Sequence, residues 1–331
     1  MTEAVAVRSN RDAVVDELRT GERFLLTTHE NPDGDALGSL LAMNHILRAM
    51  GKDSVIFLPA KEFPLPVEYR FLPLEEVFHE PPADMADRVI AFLDCGNIDR
   101  MPEGFLQGNA NKVLNIDHHH DNTRFGTINL VDVEASCTAE IVFELAGLLG
   151  VELTPEIAEA LYVGLVTDTG KFMYENADAR SHQMAATLIE AGVDVQDVYR
   201  RLYEHVPLEK LRLLARALNG IELHQGGLLA ITYISSDDYE ATGAAEELTE
   251  GIIDYLRTLD GTAMAAVVRD QFEQGRAARK VSLRSTDGRV DVSAIARKHG
   301  GGGHPQAAGF GTDMGLEEVV EFLRGELVQQ L

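Results

Sequence analysis

Histidine and aspartate side chains cluster in the turn that begins at His29. His29, Asp33 and Asp35 stand within seven residues, after the apolar run 24–28 and before a helix-like segment, 36–50. Ligands bind at the carboxyl ends of strands in open α/β sheets. This arrangement predicts a divalent-metal site, and a metal site of this kind suggests phosphate chemistry. Three later apolar runs also end in acidic or imidazole groups: Asp94; Asp117, His118 and His119; and Asp168.

Convergence of these carboxylates would be unfavourable without cations. Two like charges about 4 Å apart repel by roughly 4 kcal/mol at an effective dielectric constant near 20. Several such pairs would exceed the net stability of a domain, about 5–15 kcal/mol. Either the carboxylates are far apart or cations lie between them. Each group alone has an ordinary structural explanation, but their joint occurrence favours a metal site. Imidazole and carboxylate without thiolate suit Mn²⁺, Mg²⁺, Fe²⁺ or Co²⁺ better than structural zinc.

The elements that must position these groups alternate between strand and helix in the N-terminal part. This alternation predicts an α/β domain with a mainly parallel sheet and helices on both faces. The predicted strands are 24–28, 54–58, 89–94, 112–116 and 127–131. The predicted helices are 10–20, 36–50, 138–149, 155–167 and 179–190. Ser136 and Thr138 are expected to cap the third of these helices.

The pattern changes after residue 193. Residues 194–225 are predicted to form a helical linker that Pro207 interrupts. Beyond it, a smaller α+β domain is predicted over 226–331, ending in an amphipathic helix. We therefore divide the chain into domains 1–193 and 226–331 with the linker between them. The predicted strands of the second domain are 228–234, 262–269 and 279–284.

Composition and charge restrict the class of protein. The chain has 331 residues, 45% hydrophobic and 25% charged, which is the length of two domains and an ordinary globular composition. A net charge of -25 argues against binding a long duplex by generic phosphate contacts. Residues 262–310 nevertheless contain eight Lys and Arg against four Asp and Glu. A small anion site in this region is therefore expected.

The apolar runs are too short to span a bilayer, and no signal peptide is visible. The two cysteines, Cys95 and Cys137, have neither disulfide nor zinc spacing. We therefore predict a cytoplasmic enzyme that does not act on a membrane.

Four consecutive glycines, 300–303, precede His304. Alone, they would indicate a flexible connection. Followed by His304 and the strand-like 307–310, they favour contact with an anion, because glycine lets the backbone approach closely and present its N–H groups. Arg284 adds a planar donor that suits phosphate.

Together these residues resemble the DHH phosphoesterase superfamily. The four matching motifs are His29-x-Asn31-Pro32-Asp33-Gly34-Asp35, Asp94, Asp117-His118-His119 and Thr167-Asp168-Thr169-Gly170. Val281–Ser285 and Gly301–Gly309 resemble the DHHA1 domain that accompanies it. The resemblance covers nearly the whole chain. The length and domain pairing are similar to the bifunctional oligoribonuclease/pAp phosphatase subfamily, which includes enzymes that act on cyclic dinucleotides.

The resemblance implies two divalent metal ions, with Mn²⁺ expected and Mg²⁺ or Co²⁺ as alternatives. A hydroxide activated by the two ions would attack phosphorus in line with the leaving oxygen. By resemblance, one ion is held by His29 and Asp33, the other by Asp35, His118 and Asp168, and Asp94 bridges both.

The resemblance also implies roles outside the metal ligands. His119 would contact the scissile phosphate or assist proton transfer, and Asp117 would orient His118 or a neighbouring loop. The C-terminal domain would hold the end of the nucleotide away from the metals. The expected substrate-binding residues are Ser282, Arg284, Gly301, Gly302, Gly303 and His304.

The leading functional hypothesis is a phosphodiesterase and phosphomonoesterase. It would hydrolyse very short oligoribonucleotides (nanoRNA) to mononucleotides and dephosphorylate pAp, with pApA-like dinucleotides or c-di-AMP as related substrates. The alternatives are a family II inorganic pyrophosphatase or exopolyphosphatase, a RecJ-type exonuclease, and a non-catalytic nucleotide sensor. A homodimer is expected from the resemblance alone.

Overall fold

The chain divides into two compact units, Met1–His205 and Val206–Leu331. The computed structural model describes residues 3–101, 105–106, 111–204, 206–272, 275, 277–286 and 288–331. The boundary between the units lies inside the predicted linker. Two helices occupy that segment, on either side of Pro207, and one belongs to each unit.

The first unit contains a five-stranded sheet in which every neighbouring pair is parallel. Its strands, in the sheet order β2-β1-β3-β4-β5, are β1 (Arg23–Thr27), β2 (Asp53–Ile56), β3 (Val89–Leu93), β4 (Val113–Asp117) and β5 (Ile128–Val131). Its α-helices are α1 (Glu3–Thr20), α2 (Gly34–Ala49), α3 (Thr138–Leu149), α4 (Pro155–Asp168), α5 (Ala179–Glu190) and α6 (Val195–Tyr203). The predicted α/β class and parallel sheet are confirmed.

Both faces of this sheet are buried, which explains the continuous apolar runs in its strands. Phe24 and Leu26 of β1 point into the core that the α-helices form. Leu25, between them, points to the other face. Among the described residues, short 3-10 turns and loop side chains cover that second face, where α-helices were expected.

The second unit contains a mixed sheet in the order β10-β11-β9-β8-β7-β6, and only β7 and β8 pair in parallel. Its strands are β6 (Glu222–His224), β7 (Leu229–Ile234), β8 (Met264–Asp270), β9 (Arg279–Ser285), β10 (Gly302–His304) and β11 (Ala307–Thr312). Its helices are α7 (Leu208–Asn219), α8 (Ser236–Thr242), α9 (Ile252–Arg257), α10 (Val292–Arg297) and α11 (Leu316–Gln330). The α+β prediction is confirmed. In the described part of the chain, no helix is both long and apolar enough to cross a membrane.

Candidate active site

His29 and Asp33 lie in the loop between β1 and α2. His29 is buried, and its Nδ1 lies 2.8 Å from the carbonyl oxygen of Glu30, which leaves Nε2 directed at Asp94. Asp33 caps α2, because its Oδ1 accepts hydrogen bonds from the N–H groups of Asp35 (3.1 Å) and Ala36 (3.0 Å). The cap occupies one carboxylate oxygen of Asp33, so the other remains available to a ligand.

Asp94 follows β3 directly and faces two different groups of side chains. Its Oδ2 lies 3.6 Å from Nε2 of His29, and its Oδ1 lies 3.7 Å from Nε2 of His118. The backbone of Asp94 is left-handed, with φ of +57°, a conformation that aspartate tolerates better than most residues. The residue is buried. Its two carboxylate oxygens therefore point towards separate neighbours.

Asp35, His118 and Asp168 form the second group. Nε2 of His118 lies 4.0 Å from Oδ2 of Asp35 and 3.8 Å from Oδ2 of Asp168. Asp35 is the second residue of α2, and His118 follows β4. Asp168 is the last residue of α4. The fourth candidate motif therefore comes from a helix terminus, whereas the others lie at or near strand ends.

All six candidate metal ligands lie in two groups, and Asp94 of the first group lies 3.7 Å from His118 of the second. The ligand atoms of His29, Asp33 and Asp94 lie within 4.8 Å of one another, as do those of Asp35, His118 and Asp168. The imidazole–carboxylate separations of 3.6–4.0 Å are too long for hydrogen bonds. Separations of this size leave room for a cation between the imidazole and carboxylate groups. This donor set fits divalent cations.

The charges of the cluster are consistent with a cation site. Burial raises the pKa of Asp35 well above its ordinary value, and the charges of Asp94, Asp168 and Asp33 raise it further. Burial also raises the pKa of Asp168 to about 7, against the opposing charge of His118. These carboxylates therefore resist ionisation without a partner. A divalent cation would stabilise the ionised forms.

His119 has a different environment from His118. Its Nδ1 lies 2.7 Å from Oδ1 of Asp117, which is fully buried at the end of β4, and 3.5 Å from Oδ1 of Asp94. Burial by itself lowers the pKa of His119, but the hydrogen bond to Asp117 and the charges of Asp94 and Asp117 raise it to about 10. His119, Asp94 and His118 also lie close enough to form a third group of potential ligands. Asp117 therefore contacts the ring of His119 rather than that of His118, and it also accepts a hydrogen bond from Asn122 in the neighbouring loop.

The sequence-predicted substrate residues of the second unit lie on β9, β10 and the turn before β10. Partners in antiparallel strands point to the same face of a sheet, so Arg284, Ser282, Gly302 and His304 share one face. The opposite face carries Leu283 and is buried. Two cross-strand rows run over the shared face, Arg284–Ala307–His304 and Ser282–Gly309–Gly302.

The glycines before His304 have different structural roles. A Cβ at Gly301 would lie 2.2 Å from the carbonyl oxygen of Gly309. Gly303 has φ of +133°, which side chains rarely adopt. A Cβ at Gly302 would meet no described atom within 4 Å. The backbone therefore requires Gly301 and Gly303, whereas Gly302 leaves open space on the face that carries Arg284.

Comparison with known proteins places this geometry in a family. The model of the DHH family, N-terminal domain, matches residues 23–165, and the model of the DHHA1 domain matches residues 230–330. The bifunctional oligoribonuclease and PAP phosphatase NrnA of Thermus thermophilus is 35% identical over 314 residues, covering 92% of this chain and 90% of that protein. The chain belongs to the DHH–DHHA1 family. The NrnA protein of Bacillus subtilis is 28% identical, with 87% of this chain and 88% of that protein covered.

Solved structures show how widely the DHH–DHHA1 fold recurs. An exopolyphosphatase-related protein from Bacteroides fragilis has a TM-score of 0.88 at 24% identity, with 97% of this chain and 96% of that chain covered. RecJ from Thermus thermophilus in complex with Mn²⁺ has a TM-score of 0.56 at 16% identity, with 98% and 54% covered. At these identities, the likeness concerns the fold alone.

Several polar contacts that support the DHH motifs were not predicted from the sequence. The N–H of Thr138, at the start of α3, donates to Oδ2 of Asp35 (2.7 Å), and the Thr138 hydroxyl donates to Oδ1 of Asp94 (3.0 Å). The expected side-chain cap of α3 by Ser136 and Thr138 is absent: Cys137 occupies the cap position, and the Ser136 hydroxyl donates to Glu140. The amino end of α3 is therefore directed at the cluster.

Two asparagines fix the remaining carboxylates. Asn122 donates through Nδ2 to Asp117. Asn176 donates to Oδ2 of Asp168 (3.1 Å) and to the carbonyl oxygen of Ser136 (2.8 Å). No spacing rule in the sequence singles out either residue, because each lies in a loop several residues beyond its motif. In the sequence, only two features could have indicated these contacts: each asparagine follows its motif, and its amide can donate to a carboxylate.

Proposed function

We propose that this chain is a metal-dependent phosphoesterase that hydrolyses short oligoribonucleotides to mononucleotides and dephosphorylates pAp. The observation that carries the proposal is the arrangement of Asp94, whose two oxygens face His29 and His118 in separate ligand groups. The names of the relatives that are 35% and 28% identical support the choice of substrates. Dinucleotides such as pApA, and c-di-AMP, are related candidate substrates.

Two divalent ions, with Mn²⁺ as the proposed metal, would be held by His29, Asp33 and Asp94 on one side and by Asp94, Asp35, His118 and Asp168 on the other. Such ions supply a water of lowered pKa and offset the charge that grows on the phosphoryl oxygens. Asp94 contributes to both groups, and Asn176 and Thr138 keep the carboxylates in place.

His119 is the proposed catalytic residue outside the ligand set. The hydrogen bond to Asp117 raises the pKa of His119 and so favours the protonated imidazole. Asp117 accepts the hydrogen from Nδ1, so Nε2 carries the other proton. That proton is available to a phosphoryl oxygen or to the leaving oxygen. Asp117 thus acts as a positioning residue that keeps His119 charged.

The second unit is proposed to bind the nucleotide. Arg284 offers a planar guanidinium suited to phosphate, and Gly302 leaves space for a ligand beside it. Among the described residues of the second unit there is no comparable group of potential metal ligands, so binding and chemistry are assigned to different surfaces. The cytoplasmic location and homodimer expected from the sequence stay predictions.

Turnover assays on the purified protein test the proposal. After removal of metal with a chelator, Mn²⁺, Mg²⁺ or Co²⁺ is added back, and hydrolysis of pAp, pApA, pyrophosphate and a long single strand is measured. We expect metal-dependent hydrolysis of pAp and pApA. Hydrolysis of pyrophosphate alone would replace the proposal with the pyrophosphatase alternative. Absence of turnover with every substrate and metal would favour a nucleotide sensor.

A further inference from the structure

Arg100 lies beside the metal-ligand groups but belongs to none of them. It ends a 3-10 turn, Ile98–Arg100, after β3. Its carbonyl oxygen accepts a hydrogen bond of 2.8 Å from the N–H of Glu30, and the next residue, Met101, is buried under the sheet. The backbone of Arg100 is therefore fixed to the loop that carries His29. Its side chain is exposed.

Among the described residues, the guanidinium of Arg100 contacts an imidazole and no carboxylate. Its Nη2 lies 2.7 Å from Nδ1 of His29, and among the described residues no Asp or Glu forms an ion pair with it. Arg88 of the same unit, by contrast, forms ion pairs with Asp53 and Asp84. An arginine that has no described carboxylate partner and lies beside the metal-ligand groups is suited to an anion from outside the chain.

Metal binding by His29 would release Arg100 from the ring. Nδ1 of His29 lies 2.8 Å from the carbonyl oxygen of Glu30 as well as close to Arg100. A ring that offers Nε2 to a metal carries its proton on Nδ1 and donates it to such a carbonyl. Arg100 cannot donate to the same nitrogen, because both groups then carry hydrogens. Its guanidinium must turn away from the ring while its backbone stays fixed.

We propose that Arg100 is a substrate-binding residue that holds a non-bridging oxygen of the phosphate group at the metal-ligand cluster. A guanidinium forms two parallel hydrogen bonds with phosphate oxygens, and both are charge-assisted. The ligand class is a phosphate monoester or diester of a nucleotide. This inference rests on the proposed function, because it adds a contact to the same substrate. It assigns a role to a residue outside the four DHH motifs.

Equilibrium binding of AMP and of inorganic phosphate to the metal-loaded protein tests this role. The variants are Arg100→Ala and Arg100→Lys. The matched control is Arg48→Ala, which removes an exposed arginine from the last turn of α2, at the opposite end from Asp35. We expect Arg100→Ala to weaken AMP binding about tenfold to a hundredfold. Arg100→Lys should recover part of that loss, and Arg48→Ala should match the unchanged protein. Metal content should be the same in all.

Three outcomes would overturn the inference: normal AMP and phosphate affinity in Arg100→Ala, no phosphate or AMP binding by the unchanged protein, or equal loss of metal from both Arg100 variants. Equal loss of metal would mean that Arg100 only positions His29.

The proposed function is judged separately, by measuring turnover. If the unchanged protein hydrolyses pAp but Arg100→Ala binds AMP normally, this inference is wrong and the proposed function stands. If the unchanged protein hydrolyses no substrate but its AMP binding is weakened by Arg100→Ala, the proposed activity is wrong and this inference stands.

Discussion

Asp94 is the residue on which the proposed centre depends most, because its two oxygens face separate ligand groups. Asp94→Asn keeps the shape but removes a charge shared by both. We expect loss of nearly all turnover of every substrate, with the fold retained. Steady-state kinetics and circular dichroism would check this. Near-normal activity at saturating Mn²⁺ would contradict the shared position of Asp94.

His118 and His119 should differ although they are adjacent in sequence. Nε2 of His118 faces three carboxylates, whereas Nδ1 of His119 is bonded to Asp117. His118→Ala should therefore lower metal content, and added Mn²⁺ should partly restore activity. His119→Ala should keep the metal and lower kcat, by about a hundredfold or more if it moves a proton. Measurement of the metal content of both variants tests this assignment. Loss of metal from His119→Ala but not from His118→Ala would mean that the two roles are exchanged.

Asp168 should make the metal-free protein less stable as the pH rises. Burial raises its pKa to about 7 in the folded state, against about 3.9 in an unfolded chain. Its contribution to stability is therefore complete below the unfolded pKa and is lost as the pH rises through about 7. Mn²⁺ should then raise Tm more at about pH 8 than at about pH 6. Thermal unfolding with and without metal measures this.

Asp168→Asn is the control for that pH dependence, since the amide does not titrate. The variant should lose only the part of the fall in metal-free Tm that Asp168 contributes up to about pH 7, because His119, whose pKa is also raised, should still lower stability above about pH 6.5. An identical fall in the variant would show that other groups, such as His119 or Asp35, are responsible.

At the scale of elements, close packing of α2 against α4 brings Asp35 near Asp168. A Cβ at Gly164 would lie 2.7 Å from Cβ of Ala139 and 2.8 Å from Oδ1 of Asp35. Gly164→Ala should therefore displace Asp35, lower metal affinity, and cost about 1–3 kcal/mol of stability through overpacking.

Gly147→Ala is a matched control on α3, because a Cβ there meets no described atom within 4 Å. This change should leave metal affinity unaltered and stabilise the helix by roughly 0.5–1 kcal/mol. Denaturant unfolding and metal titration of the two variants test the pair. Equal metal affinity in both would show that the contact at Gly164 is not needed to place Asp35.

The sequence predicted the strands and helices well because apolar runs and alternation are local signals. It also predicted that the candidate ligands meet, since parallel strands end at one edge of a sheet. It did not predict that the amino end of α3 binds Asp35, because Thr138 lies 103 residues away along the chain. It also gave Arg100 no role, because that contact depends on how two loops fold beside each other.

On the scale of the whole molecule, two units with different chemistry make up the chain. The described acidic and histidine groups able to hold a metal all lie in the first unit. The second unit presents a face of small residues with Arg284 and His304. A net charge of -25 opposes binding of long nucleic acids by generic contacts. Selectivity for short nucleotides should therefore depend on local contacts in the second unit.

Arg284→Ala and His304→Ala should separate nucleotide binding from chemistry. Contacts remote from the reacting phosphate orient the substrate and affect turnover as well as binding. A charge-assisted contact is worth roughly 1.5–3 kcal/mol, so kcat/KM for pAp and pApA should fall about tenfold to a hundredfold. Hydrolysis of bis-p-nitrophenyl phosphate, which needs only the metal centre, should fall much less, and Mn²⁺ content should not change. Gly302→Val, which fills open space on the same face, should repeat this pattern. Equal loss of activity on both kinds of substrate would mean that these residues support the fold or the metal centre. The proposal that the second unit binds the nucleotide would then be wrong.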